Sequence, residues 1–534
     1  MRRALWRYAA VVLFILAALV TRPYYYADSL EYAQCIIAQE DGQSPPMFFE
    51  SSHLLWRPLG WVVHSALLPV LRNQFGLERF AQVNLSLILI SLILSLTGII
   101  YLYRLLRLLP ISEVSVQVTT LIYAVSQCVM NYGMTGTSYM SGISILIAGL
   151  YYVFDSARRL SVGLSLWAAG VLLAIAPLLW MPYILALPAA ILVYPTVNGW
   201  NRKNLVESLR LTMVVALVAL AILVPFVVHL HLTPAGFVQW ALDPGDKHYM
   251  AGPLRTVFGL PKTLFYLGND GLYVKRFLYH DPYHPVSALM LFGLGLWKMG
   301  LFYSLLLVIF VVILRDLTAR KYLVFLLVGI IPNLILSFRW DGAALERHLP
   351  LMPFLFIALA LGFAYGSTTF VRPLIGAVGL VVLVLNVSAM WPSVSAEAEA
   401  RGTAHIREIW PRLNDHSIVT VLNIQDELVV FQRIHPLNPY NQSHRLCPYP
   451  VLGSVDDSSR YWRERFEHAK REAWMEHGGV WVKKSLLASA PDVDDYWIEN
   501  ERPGISWKNI SNYFRQQYYS DSTDTFLLLQ PDQP

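Results

Sequence analysis

Residues 83–103 read VNLSLILISLILSLTGIIYLY, twenty-one consecutive residues without a single charged side chain. At 1.5 Å per residue a helix of this length spans roughly 30 Å, the thickness of a bilayer's hydrocarbon core. The stretch therefore reads as a transmembrane helix, and similar runs flank it on both sides. Before it comes Leu5–Val20. After it come Val114–Met130, Tyr139–Phe154, Leu160–Leu179, the short proline-broken Tyr183–Val197, and Leu211–Leu232. Further on lie Val286–Leu314, Tyr322–Phe338, Leu349–Phe363 and Leu374–Met390. These make about eleven candidate spans.

Whole-chain composition agrees. Of 534 residues, 55% are hydrophobic and 14% charged, and the mean hydropathy is +0.46. A soluble domain carries about 25% charged residues. The net charge of +5 is spread over short loops, which argues against a nucleic-acid partner. Cys35, Cys128 and Cys447 lack metal-ligand spacing and are too few for a disulfide framework. The expected fold class is an α-helical polytopic membrane protein followed by a soluble α/β domain.

Loop charge sets the expected orientation, because Lys and Arg resist translocation. Arg2, Arg3 and Arg7 precede the first run, which reads as an uncleaved helix rather than a signal peptide. Every second loop then carries bases: Arg104 and Arg107, Arg158 and Arg159, Arg202 and Lys203, Arg315 to Lys321, and Arg372. The long segments 21–82 and 233–285 fall on the opposite, outer side. An odd number of spans sends the C-terminal part outside as well. The expected domains are 1–390 in the membrane and 391–534 as a soluble extracytoplasmic unit. In the latter, short β-rich runs at Ile418–Leu422, Glu427–Phe431, Val480–Val482 and Phe526–Leu529 alternate with helical patterns. Its clearest helix, DDSSRYWRERFEHAKREAWMEH, is expected to be capped by Asp456 or Asp457. No phosphate-binding glycine loop follows a strand there.

Ionisable residues cluster at the outer interface. TRPYYYADSLEYAQ places Asp28 directly after the first span, with Glu31 three residues on. This pair also fits a capping box opening a helix over Leu30–Ala38. In ESSHLLWRPLGWVVHSALLPVL, His53 and Arg57 share a face of an amphipathic stretch along the membrane, where snorkelling is the plain alternative to a binding role. FRWDGAALERHLPLMP sets Glu346, Arg347 and His348 against a following span. Arg347 has the rigid donor fork suited to phosphate, or else it pairs with Glu346 or Asp341. In the second long loop, His280, Asp281 and His284 carry ligand-type side chains, but Pro282 and Pro285 favour a loop over a metal-binding helix. Lys298 lies within an apolar run and is expected to mark the junction of an interfacial helix with the true span.

A basic N-terminus before the first helix, the external YADS aspartate and the late external ERHLPLMP element together resemble the GT-C superfamily of membrane glycosyltransferases. More narrowly, they resemble bacterial relatives of the protein-mannosyltransferase and aminoarabinose-transferase group. The resemblance covers roughly Met1–Met390. Family members commonly carry a second acidic residue beside the first-loop aspartate, a pattern that Glu31 matches imperfectly.

The resemblance implies inverting transfer of a sugar from a polyprenyl-phosphate-linked donor to an acceptor hydroxyl on a glycan, lipid or protein. The setting would be the outer face of a bacterial cytoplasmic membrane. Asp28 would be the catalytic base. Glu31, His53, Arg57, Lys247, Lys298, Glu346, Arg347 and His348 would bind substrate. The resemblance leaves a divalent metal open and calls for no other cofactor. The competing classes are a transporter or flippase of a lipid-linked or small polar substrate, and a non-catalytic relative. Transporters often pair broken helices in repeats, and no such pairing is visible here.

Overall fold

The computed structural model describes residues 8–22, 27–43, 46–75, 79–159, 163–242, 252–267, 270–278, 280–340, 342–391, 408–414, 416–421, 448–450, 461–491 and 505–531. Among them, seven helical segments are long and apolar enough to cross a membrane. They are Arg79–Arg107, Ser138–Arg159, Met181–Asn198, Arg202–His229, Ala288–Arg315, Leu345–Tyr365 and Val371–Ala389. The shorter apolar helices Ala9–Val20, Leu164–Leu179 and Leu323–Arg339 correspond to three more expected spans. The protein is a multi-pass membrane protein.

The remaining expected run, Val114–Met130, is divided. One helix covers Glu113–Ala124, and a second resumes at Gln127–Gly133. Such a break frees backbone groups that lipid cannot satisfy. Asn386 supplies partners: its Nδ2 donates to the carbonyls of Val125 and Leu264, both at 2.8 Å. Met181–Asn198 is likewise a chain of short helical pieces, since Pro182, Pro188 and Pro195 each remove a backbone donor. Ala288–Arg315 contains a π-helical turn over Phe292–Leu296, just before Lys298.

Burial separates inner from outer helices. Ser138–Arg159 and Leu345–Tyr365 are 83% and 89% buried over their apolar windows, whereas Arg202–His229 is 11% buried and presents its apolar side chains outward. Small residues allow close approach inside. Ser86, Ser91 and Ser95 are buried on the Arg79–Arg107 helix, and a Cβ on Gly98 would collide with Ser144 of the Ser138–Arg159 helix.

The chain divides into two compact units, Met1–Leu267 with Lys298–Pro392, and Gly268–Trp297 with Ser393–Pro534. The second unit holds a five-stranded sheet built from β1 (Ile418–Val421), β2 (Pro448–Pro450), β3 (Val480–Lys483), β4 (Tyr519–Ser522) and β5 (Phe526–Leu529), in the order β2-β1-β3-β5-β4. The pairs of β1 with β2 and β3 are parallel, while β5 runs antiparallel to both β3 and β4. Phe466 and Ala473 of the helix Trp462–Met475, with Ile510 and Phe514 of Trp507–Arg515, pack on Val480 and Val482.

The Trp462–Met475 helix has Tyr461 at its N-cap position with no side-chain cap, and the expected caps Asp456 and Asp457 lie outside the described residues. β2 and β4 have no counterpart among the expected strands. Expected strand Glu427–Phe431 lies outside the described residues.

Candidate functional site

The helix after the first span runs from Ala27 to Glu40, so it starts earlier than Leu30 and Asp28 falls in its first turn. The half-buried Asp28 carboxylate accepts a hydrogen bond from the Tyr139 hydroxyl. Its environment is thus tied to a distant helix and not only to its own N-terminus.

Arg57 begins the helix Trp56–Phe75 and is completely buried. Snorkelling is therefore ruled out. Its Nη2 donates to Glu50 at 2.8 Å and lies 3.4 Å from Glu31, while its guanidinium sits 4.8 Å over the Tyr32 ring. Nε and Nη1 have no hydrogen-bond partner among the described residues. A buried cation with two unused donors is costly unless an anion completes it.

His53 is equally enclosed, in the short 3-10 turn Ser51–His53. Its Nδ1 is 2.8 Å from Ser138 Oγ, and its Nε2 is 3.2 Å from Tyr32 Oη. Burial lowers its pKa from 6.5 to about 4 against the opposing pull of Glu50, so the ring is neutral at pH 7. Burial pushes the Glu50 carboxyl up, but His53, Arg57 and Ser52 together hold it below its usual value.

The late cluster is fixed by close backbone packing. A Cβ on Gly259 would run into the Gly342 carbonyl and the His348 ring. His348 is fully buried and its Nε2 lies 2.8 Å from the Gly342 carbonyl, and Lys262 donates to the Ala343 carbonyl at 2.9 Å. His348 thus braces the loop. Glu346 accepts from the Tyr132 hydroxyl at 2.7 Å. Its other carboxylate oxygen is 3.9 Å from Arg347 Nε, beyond hydrogen-bonding reach. The expected Arg347–Glu346 ion pair is therefore present but without a hydrogen bond, and the Arg347 guanidinium carbon also lies over Trp340, 3.3 Å from the ring centroid.

The two sequence clusters meet on one aromatic wall. Tyr139, which bonds Asp28, and Tyr132, which bonds Glu346, contact edge to face with centroids 5.0 Å apart. Trp180 packs on Tyr139 at 5.0 Å, and the His53 ring is 6.0 Å away. Lys298 is not part of the clusters just described; its Nζ donates to the Tyr266 carbonyl at 3.3 Å. Lys247 lies outside the described residues, as does Asp341, the other expected partner of Arg347. Asp281 pairs with Arg276 at 3.8 Å, and His284 Nε2 lies 3.3 Å from the Pro491 carbonyl. Among the described residues, no three His, Cys, Asp or Glu side chains converge as a metal-binding group. Between Glu31 and Glu50 the cation is Arg57 itself.

Glu50, Tyr32, Tyr132, Ser138, Tyr139, Trp180 and Trp340 were not singled out from the sequence. The signal for three of them was the polar but uncharged NYGMTGTSY at 131–139.

Comparison with solved structures supplies the fold's relatives. ArnT from Cupriavidus metallidurans in the apo state aligns with a TM-score of 0.52 at 11% identity, covering 98% of this chain and 97% of that one. The same protein bound to undecaprenyl phosphate aligns with a TM-score of 0.51 at 12% identity, with the same coverage. The chain has the GT-C fold.

An oligosaccharyltransferase from Archaeoglobus fulgidus, in complex with zinc and sulfate, aligns less well. Its TM-score is 0.48 at 13% identity, covering 89% of this chain and 68% of that one. The profile of the family described as dolichyl-phosphate-mannose-protein mannosyltransferase matches residues 73–229. That part of the GT-C fold includes Tyr132 and Tyr139, while Asp28, His53, Arg57 and Arg347 lie outside it. No curated protein matches the chain in sequence.

Proposed function

We propose that this protein is an inverting glycosyltransferase that moves a sugar from a polyprenyl-phosphate-linked donor to an acceptor hydroxyl. The reaction takes place at the outer face of a bacterial cytoplasmic membrane, with the N-terminus inside and the C-terminal domain outside. The observation that carries the reading is the joining of Asp28 and Glu346–Arg347 through Tyr139 and Tyr132. A carboxylate bonded to one end of this wall, and a guanidinium paired with the carboxylate bonded to its other end, suit a reaction that needs a base and an anion holder.

In this reading Asp28 takes the acceptor's proton as its oxygen attacks the anomeric carbon. The bond to the donor phosphate breaks, and the phosphate gains charge as it leaves. Arg347 stabilises that charge, with the two unused donors of Arg57 as a second source. Glu31 and Glu50 hold Arg57, and neutral His53 orders Ser138 and Tyr32 without adding charge. A lipid-linked donor is confined to the bilayer, so a site at the outer ends of the helices meets it without extraction. The fold likeness to ArnT, whose structure was solved with undecaprenyl phosphate, and the mannosyltransferase family match support the same reading.

The test is to incubate the purified protein with a panel of undecaprenyl-phosphate-linked sugars and an extract of envelope glycans, lipids and proteins. Release of undecaprenyl phosphate with an inverted sugar–acceptor linkage is expected for one donor. Uptake or flipping of the lipid with no release would favour a transporter instead.

A further inference from the structure

We infer that Trp340 is a positioning residue for the donor phosphate, acting through Arg347. The inference rests on the phosphate role proposed above and adds the device that makes Arg347 fit for it.

Three observations converge on Arg347. Its neighbour Glu346 accepts a hydrogen bond from Tyr132 at 2.7 Å and pairs with Arg347 Nε only at 3.9 Å, without a hydrogen bond. Its Nε is buried and has no hydrogen-bond partner among the described residues. Its guanidinium carbon lies 3.3 Å from the centre of the Trp340 ring, so one flat face is covered by the indole.

An arginine in an ordinary surface pair would turn its edge to the carboxylate and leave its face to water. Here the face is occupied, and the Nε edge approaches its carboxylate without a hydrogen bond. Stacking on an aromatic ring leaves all five N–H groups free, because they point outward in the guanidinium plane. It also restricts rotation of a long side chain that would otherwise lose freedom on binding. The backbone is held too, since Ser337 Oγ donates to the Arg347 carbonyl at 3.0 Å. The result is a planar donor fork fixed in orientation, its Glu346 partner held in a long ion pair that leaves Nε without a hydrogen bond. Such a fork suits a phosphate that accepts two parallel hydrogen bonds.

The test measures binding of undecaprenyl phosphate to the full-length protein in nanodiscs, with thermal midpoints recorded alongside. Trp340→Leu should weaken binding about fivefold, with Trp340→Phe in between because Trp gives the strongest cation–π contact. Arg347→Ala should weaken it roughly tenfold or more. Adding Trp340→Leu to Arg347→Ala should cause little further loss, since the indole then has nothing to orient.

If Trp340→Leu fails to accumulate, Trp340→Phe and Trp340→Tyr carry the same comparison. Wild-type affinity in the Trp340 variants beside a weakened Arg347→Ala would overturn the positioning role and leave the phosphate role standing. A Trp340 effect undiminished in the Arg347→Ala background would also overturn it. Unchanged binding in Arg347→Ala, or no saturable binding by the wild type, would overturn the phosphate role and this inference together.

Discussion

The Tyr132 hydroxyl donates to Glu346 at 2.7 Å across 214 residues of chain. The other oxygen of the same carboxylate forms an ion pair with Arg347 Nε at 3.9 Å, too long for a hydrogen bond. Tyr132→Phe should therefore let Glu346 close on Arg347 and compete with an anion. The expected outcome is weaker undecaprenyl phosphate binding with a small change in melting temperature. The double variant Tyr132→Phe, Glu346→Gln should regain part of the affinity. Equal affinities in the wild type and both variants would show that Glu346 does not compete for Arg347.

Arg57 is a buried cation between two carboxylates, not a snorkelling surface residue. Removing one partner of such a group typically costs about 3–5 kcal/mol. Arg57→Ala should lower the melting temperature strongly, and Arg57→Met only somewhat less, because both strand Glu50. A melting curve like that of the wild type would return Arg57 to the surface role.

Close packing around Gly259 gives a separate prediction. A methyl group there meets the Gly342 carbonyl and His348, so Gly259→Ala should destabilise by roughly 1–3 kcal/mol or more. It should also impair phosphate binding, because Gly342 and His348 brace the Arg347 loop. Gly300 lies inside the helix Trp297–Arg315, and nothing lies near its virtual Cβ. Gly300→Ala should thus be neutral or slightly stabilising, by up to about 1 kcal/mol. Thermal unfolding in one detergent compares the two directly.

His53 links stability to pH. Its folded pKa is depressed to about 4 from 6.5, so the unfolded chain binds a proton in that interval and the folded chain does not. The associated stability is fully present above 6.5 and is lost as pH falls toward 4. Glu50, also lowered, acts in the same direction below about 4.5. Moving from pH 7.5 to 5 should cost on the order of 2 kcal/mol, and His53→Gln should remove most of that slope. An equally steep slope in His53→Gln would place the titrating group elsewhere.

Hydrophobic runs made the membrane unit legible, because a span needs twenty apolar residues whatever its neighbours do. What the runs did not show is where a span breaks. At the interruption at Val125–Ser126 the Val125 carbonyl is satisfied by Asn386, some 261 residues away. Asp28 and Glu346–Arg347 stood out because charge at a membrane edge is conspicuous. Tyr132, Tyr139 and Trp340 did not, since aromatic residues near an interface are ordinary and their roles come from geometry. In the soluble unit β4 reads YSDS and is exposed over most of its length, so no alternation announced it. β2 reads PYP, a composition tolerated only because it lies at the sheet's edge.

The central claim, that Asp28 is the base of a sugar transfer, is tested most directly by one comparison. Turnover of the accepted undecaprenyl-phosphate-linked sugar should be measured for the wild type and Asp28→Asn at matched amounts of folded protein. Asn keeps the shape and the capacity to accept the Tyr139 hydrogen bond but cannot take a proton. The account predicts loss of turnover by a factor of about 100 or more, with undecaprenyl phosphate binding and melting temperature close to wild type. Near-normal turnover in Asp28→Asn would contradict it.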